Sequence, residues 1–174
     1  MSFERVGGEE VWKGKMVSVR RDRFRYDDGE EVTREIVDHP GAVAVVAHDG
    51  RQLYLVAQPR ESVDEEELLE LPAGKLDEEG ESPLDTAKRE LGEEIGLAAR
   101  SWDHLTSCYS SPGFTNEEIH IYLATDLYEV DVEPDEGERI QVRHMPLAEL
   151  DGLIRDCRDA KTLVGLLWLK TMLD

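Results

Sequence analysis

Residues 82–96, Ser-Pro-Leu-Asp-Thr-Ala-Lys-Arg-Glu-Leu-Gly-Glu-Glu-Ile-Gly, constrain the fold of this chain more than any other stretch. Ser82 reads as an N-cap, Pro83 sits at the first helical position, where no amide donor is needed, and Asp85 completes a capping box. Gly96 ends the helix. Leu84, Ala87, Leu91 and Ile95 recur at steps of three and four residues, so at about 100° per residue they form one apolar stripe facing a core. Glu90 and Glu94 share the neighbouring stripe, and Glu93 lies on the same flank. Three like charges at that spacing repel one another unless cations occupy the site. Oxygen-only ligands point to magnesium or manganese.

The chain of 174 residues is long enough for one domain with a substantial core, expected to span residues 1–174. Its formal net charge of -20 argues against sequence-independent nucleic-acid binding, which needs a basic surface to neutralise phosphates. No apolar run is long enough to span a bilayer, and the start carries no basic, apolar, small-residue signal, so a cytoplasmic protein without membrane attachment is expected. Cys108 and Cys157 have no zinc spacing and read as packed residues. The five histidines form no metal motif, and Trp12, Trp102 and Trp168 read as packing residues.

Strand-like runs at 17–20 and 32–37 flank a turn at 26–29 and suggest a small antiparallel sheet in residues 1–40. Residues 41–48 read as a continuous apolar strand, Asp49-Gly50 as a hairpin turn and 52–57 as the returning strand. Residues 62–70 are expected to form an acidic mobile loop. After the glutamate helix, 102–109 and 118–127 read as strands, the second with Ile119, Ile121 and Leu123 alternating against Glu118, His120 and Tyr122. Residues 131–138 form an acidic loop, 139–145 a strand, and 147–158 and 160–173 two helices. The interleaving gives a mixed α/β fold.

Gly74, Glu81, Arg89-Glu90-Leu91, Glu93-Glu94 and Gly96-Leu97 closely resemble the Nudix box, GX5EX7REUXEEXGU, where U is aliphatic. Six residues rather than five separate Gly74 from Glu81, so the loop before the helix is expected to bulge by one residue. The resemblance implies an α/β/α sandwich with a mixed central sheet, plus an N-terminal antiparallel sheet that dimerises and a catalytic core at 41–174. It further implies divalent-metal chemistry on a nucleoside diphosphate compound. The backbone carbonyl of Ala73 and the carboxylates of Glu90, Glu93 and Glu94 would be metal ligands, with Glu81 a supporting acceptor and Arg89 a partner orienting the glutamates.

Flanking segments are similar to the ADP-ribose pyrophosphatase branch of that family. Pro112 follows Gly96 by 16 residues (112 − 96) within Ser-Pro-Gly-x-x-x-Glu, whose Glu117 would face the terminal ribose or the bridging phosphates. Arg34-Glu35, in Thr-Arg-Glu-Ile-Val-Asp-His-Pro-Gly, resembles a pair that reaches the adenine of the partner's substrate in a homodimer. Gln58-Pro59-Arg60 resembles a segment whose arginine contacts a phosphate, with Pro59 in place of an aromatic residue. The loop at 131–138 aligns with an acidic catalytic loop, in which Glu136 would orient or deprotonate water and Glu138 would support metal or water. Glu93 is the alternative base. These features imply hydrolysis of ADP-ribose to AMP and ribose 5-phosphate with Mg2+ or Mn2+. The alternatives are another nucleoside diphosphate sugar as substrate, or a non-catalytic domain that senses ADP-ribose.

Overall fold

The computed structural model describes residues 1–132 and 139–173, in two compact units: Met1–Gly41 with Tyr109–Glu118, and Ala42–Cys108 with Ile119–Asp174. The first unit is a three-stranded antiparallel sheet of β1 (Phe3–Lys13), β2 (Ser18–Tyr26) and β3 (Glu31–Asp38), in that order. Strand β1 is absent from the sequence reading because Gly7-Gly8 lowers its intrinsic strand preference. Pairing overrides that preference: the ladder to β2 runs from Phe3 to Lys13 with two register shifts. Beneath it the Asp22 carboxylate, 1% exposed, accepts hydrogen bonds of 2.7 Å from both Arg5 and Arg20. Trp12 is 55% exposed on β1, which corrects its reading as a packing residue. The segment Tyr109–Glu118 runs along β3: the Val37 amide donates to the Phe114 carbonyl at 2.7 Å, and Asn116 Oδ1 accepts from the His39 amide at 2.8 Å.

The second unit holds a mixed sheet. In chain order its elements are β4 (Ala42–His48), β5 (Gln52–Arg60), β6 (Glu65–Glu70), β7 (Ala73–Lys75), α1 (Pro83–Ile95), β8 (Leu97–Tyr109), β9 (Glu118–Glu129), β10 (Gln141–Pro146), α2 (Leu150–Asp156) and α3 (Ala160–Leu173). Among the described residues the strand order is β10-β5-β4-β9-β8, with β6 added to β5 and β7 to β4. Strand β4 pairs in parallel with β9 and antiparallel with β5 and β7.

Period-two alternation on β4 divides the core in two. Val43, Val45 and Ala47 pack with Ala87 and Leu91 of α1 and with Tyr122 and Ala124 of β9. Ala44 and Val46 face the other way, against Leu150 of α2 and Leu166 and Leu169 of α3. The result is an α/β/α sandwich, and its central strands are covered on both faces. For that reason Tyr122 is buried although the alternation on β9 placed it opposite the apolar residues. The same burial does not extend to Trp168, which α3 leaves 42% exposed, contrary to its expected packing role. No helix among the described residues is long and apolar enough to cross a membrane.

Residues 62–70 are not a loop. A short 3-10 turn, Glu61–Val63, leads into β6, which pairs with β5 through Val56–Glu70, Ala57–Leu69 and Gln58–Leu68. Acidic composition concealed the strand, since its carboxylates find cationic partners: Glu65 pairs with Arg158, Glu67 with Arg143, and Glu70 with Arg60.

Glu70 is fully buried. Its carboxylate accepts from Arg60 Nε at 2.6 Å and Arg60 Nη2 at 2.8 Å, and also from the Lys161 ammonium. Lys161 in turn donates to Asp159 at 2.9 Å; Asp159 accepts from the Thr162 hydroxyl at 2.6 Å, and Thr162 Oγ1 accepts from the Leu71 amide at 2.8 Å. Burial works to raise the Glu70 pKa, but the Arg60 hydrogen bonds and the Lys161 charge outweigh it and hold the carboxyl below the ordinary range.

Two stability predictions follow from this packing. Leu91→Ala, at a fully buried position of α1, is expected to cost about 2–5 kcal/mol in urea denaturation with little change in denaturant slope. Because the folded pKa of Glu70 lies below its unfolded value, its contribution is complete above the ordinary carboxylate range and disappears as pH falls through the folded value. Stability should therefore decline on acidification, and less steeply in Glu70→Gln. Parallel pH–stability curves for the two proteins would contradict this account.

Candidate active site

The ends of α1 are fixed locally. Ser82 Oγ accepts from the Asp85 amide at 3.2 Å and donates to its carboxylate at 2.6 Å, with Pro83 in the first turn. At the other end Gly96 adopts φ +69°, a left-handed conformation that costs glycine least, and its amide donates to the Gly92 carbonyl at 2.9 Å. With Ala87 and Leu91 committed to the core, the adjoining flank carries Arg89, Glu90, Glu93 and Glu94.

Arg89 gathers the carboxylates on this flank. Its Nη1 donates to Glu93 at 2.7 Å and lies 3.0 Å from Glu90, while Nε and Nη2 each reach Glu81 at 3.3 Å. Thr86 is buried and donates its hydroxyl to Glu81 at 2.9 Å, so Glu81 reaches the cluster despite the additional residue in the preceding loop. Burial disfavours the Arg89 charge, but Glu81, Glu90 and Glu93 together hold its pKa above the ordinary arginine range. Strand β7 closes the other side. The Ala73 amide donates to Glu94 Oε2 at 2.8 Å, and Gly74 approaches so closely that a Cβ there would lie 1.9 Å from Glu90 Oε1. Only glycine leaves room for the Glu90 carboxylate.

Among the described residues no group of three or more His, Cys, Asp and Glu side chains is arranged to hold a metal ion, and Arg89 lies among Glu81, Glu90 and Glu93. The donor set still fits a hard divalent cation. It is all oxygen, it places Glu81, Glu90 and Glu93 around one guanidinium with Glu94 held by the Ala73 amide, and the Gly74 recess admits a carboxylate against the strand. Glu136 and Glu138 lie outside the described residues.

Arg60 belongs to the same unit. Its guanidinium is held by Glu70, whose hydrogen bonds outweigh burial and raise its pKa above the ordinary arginine range. The other expected substrate residues belong to the N-terminal unit. Arg34 donates to the Thr33 carbonyl at 3.0 Å, and Glu35 pairs with Arg21 at 3.3 Å. Glu117, five residues after Pro112, lies 3.7 Å from His39 Nδ1. Sequence reasoning missed Thr86, Glu70, Asp159 and Lys161. Glu70 and Lys161 are 91 residues apart, and no spacing rule joins them. A cavity of about 550 Å³ opens on the α2–α3 face, lined by Leu55, Leu69, Met145, Leu153 and Leu166. It contains no box residue, so the carboxylate chemistry rather than concavity locates the site.

Comparison with known proteins agrees with this geometry. The NUDIX domain model matches residues 38–164. The chain is 46% identical over 129 residues to an ADP-ribose pyrophosphatase of Mycobacterium tuberculosis, across 74% of this chain and 62% of that relative, less than two thirds of its length. It is 38% identical over 170 residues to an ADP-ribose pyrophosphatase of Bacillus subtilis, across 95% of this chain and 91% of the other. A crystal structure of an ADP compounds hydrolase superposes with a TM-score of 0.87 over 99% of this chain and 95% of its own, at 24% identity, a likeness of fold. With its box residues assembled on α1 and β7 and the family match covering most of its length, the chain belongs to the Nudix family.

Proposed function

We propose that this protein hydrolyses the pyrophosphate of ADP-ribose, giving AMP and ribose 5-phosphate by attack of water on phosphorus. The observation that carries the reading is the gathering of Glu81, Glu90 and Glu93 around Arg89, with Glu90 against Gly74 and Glu94 on the Ala73 amide, in a chain alike over 95% of its length to an ADP-ribose pyrophosphatase. Glu90, Glu93, Glu94 and the Ala73 carbonyl would hold Mg2+ or Mn2+. Such an ion, when bound, supplies neutralisation of phosphate oxygens and a water of lowered pKa.

The chain's own groups do the rest. Arg89 orients Glu81 and Glu93, and Arg60 offers its guanidinium to a phosphate. Glu136, or Glu93 in its place, accepts the proton of the attacking water, with Glu138 in support. Pro112 and Glu117 are assigned to substrate on the family resemblance alone. On the same ground Arg34 and Glu35 are assigned to the adenine of substrate held by a partner chain, which makes the enzyme a homodimer. A small nucleotide substrate, and Cys108 and Cys157 not joined in a disulfide, suit a cytoplasmic enzyme.

Incubation with magnesium and a panel of ADP-ribose, ADP-glucose, GDP-mannose, dinucleoside polyphosphates and nucleoside triphosphates, with products resolved by chromatography, tests the substrate. AMP and ribose 5-phosphate from ADP-ribose are expected to dominate; a faster reaction with another nucleoside diphosphate sugar would reassign it. Glu90→Gln and Glu94→Gln should each lower turnover by several orders of magnitude with the fold intact by circular dichroism, since each removes charge but little volume. Near wild-type turnover in either variant at low magnesium would remove that residue from the site. Light scattering should find twice the chain mass of 19.7 kDa, whereas a fully active monomer would exclude the shared adenine site.

A further inference from the structure

We propose that Thr162, on the C-terminal helix α3, is a positioning residue for the metal site: its hydroxyl holds the backbone between β6 and β7 and thereby sets the direction of the Ala73 carbonyl. The inference rests on the reading of Ala73 and Glu94 as metal ligands. The chain changes sheet neighbour at this point. Glu70 pairs with Val56 of β5, whereas Ala73 pairs with Ala44 of β4, so Leu71 and Pro72 cross from one neighbour to the other. Proline has no amide to give. The crossing is held by the Val45 amide, which donates to the Pro72 carbonyl at 2.8 Å, and by two side chains. Thr162 Oγ1 accepts from the Leu71 amide and Glu94 Oε2 from the Ala73 amide, each at 2.8 Å.

In an antiparallel ladder, hydrogen-bonded pairs alternate with pairs whose backbone groups point away from the partner strand. With Val45 bonded to Pro72, the Ala44–Ala73 pair is of the second kind. The Ala73 carbonyl therefore points off β4 together with its amide, to the side on which Glu94 meets that amide. A displacement of Leu71 reaches this carbonyl through a single proline. Thr162 can prevent it because Thr162 is itself fixed. It is 2% exposed, and its hydroxyl donates to Asp159 Oδ2 at 2.6 Å, which leaves its lone pairs for the Leu71 amide. The same oxygen accepts from the Thr162 amide at 3.0 Å and from the Lys161 ammonium at 2.9 Å. Burial works to raise the Asp159 pKa, but Lys161 and Thr162 hold the carboxyl below the ordinary range, so it acts only as an acceptor. Gly165, nearly one turn further along α3, permits the close approach: a Cβ there would lie 2.5 Å from Leu71 Cδ1 and 2.9 Å from Val46 Cγ2.

Substitutions that separate the hydroxyl from the packing test this. Thr162→Val keeps nearly the same volume and removes the acceptor, whereas Thr162→Ser keeps the hydroxyl and removes a methyl group. Mn2+ affinity is measured by calorimetry without substrate, beside thermal melting, on wild type, these two variants, Glu94→Gln, and Leu150→Ala as a packing change on α2. Thr162→Val is expected to weaken Mn2+ binding about 10-fold, the lower end of the range usual for residues that support metal ligands. Thr162→Ser and Leu150→Ala should melt at lower temperature than wild type yet bind Mn2+ as wild type does. If Thr162→Val does not fold, Thr162→Ala, which also lacks the acceptor, replaces it with the same expectation. Wild-type Mn2+ affinity in the folded variant without the hydroxyl would overturn the proposal and leave the metal site standing. Equal weakening in Thr162→Ser or Leu150→Ala would reduce Thr162 to a support of the fold. Wild-type Mn2+ affinity in Glu94→Gln would instead refute the reading of the metal site, and the proposal with it.

Discussion

The contact between helix α1 and the short strand β7 is the constraint on which the rest of the catalytic unit depends. Ala73 donates its amide to Glu94, and Gly74 gives up its side chain so that Glu90 can lie against the backbone. A charged helix flank ordinarily faces water. Here it is held against a strand, because the opposite stripe of the same helix, Ala87 and Leu91, is buried against Val43 and Val45 of β4, and β7 is itself paired with β4. Apolar packing and hydrogen bonding thus fix one helix orientation from two sides.

That orientation concentrates negative charge. Three carboxylates, Glu81, Glu90 and Glu93, lie around Arg89, and a single guanidinium cannot neutralise them. The same physics that makes such a cluster costly in an empty fold makes it a cradle for hard cations. The cations that the fold supplies are correspondingly restrained: Arg89 from within the helix, and Arg60 by a buried carboxylate three residues before Ala73. The formal net charge of the whole chain, -20, leaves an anionic substrate dependent on such local positive groups.

The helix, its caps and its apolar stripe were legible in the sequence because they obey rules of local spacing. Strand β4 was legible from its continuous apolar run and β5 from the Asp49-Gly50 turn that precedes it, and helices α2 and α3 were also expected near their places. Strand β6 was hidden, since Glu65, Glu67 and Glu70 look like a solvated loop until Arg158, Arg143 and Arg60 arrive from elsewhere in the chain. Strand β1 was hidden by Gly7-Gly8, whose weak strand preference is overcome by pairing with β2. The same limit applies to the site. Glutamates within one helix declare themselves by spacing, whereas a network that joins Glu70, Lys161 and Thr162 exists only once distant segments meet.

The central claim is that the α1–β7 carboxylates direct water onto a phosphorus of a pyrophosphate. Turnover of ADP-ribose with magnesium in 18O-labelled water, followed by mass spectrometry of the products, tests it most directly. The account predicts one solvent oxygen per turnover in the phosphate of AMP or of ribose 5-phosphate. Label on the C5 oxygen of free ribose, with release of unlabelled ADP, would contradict it.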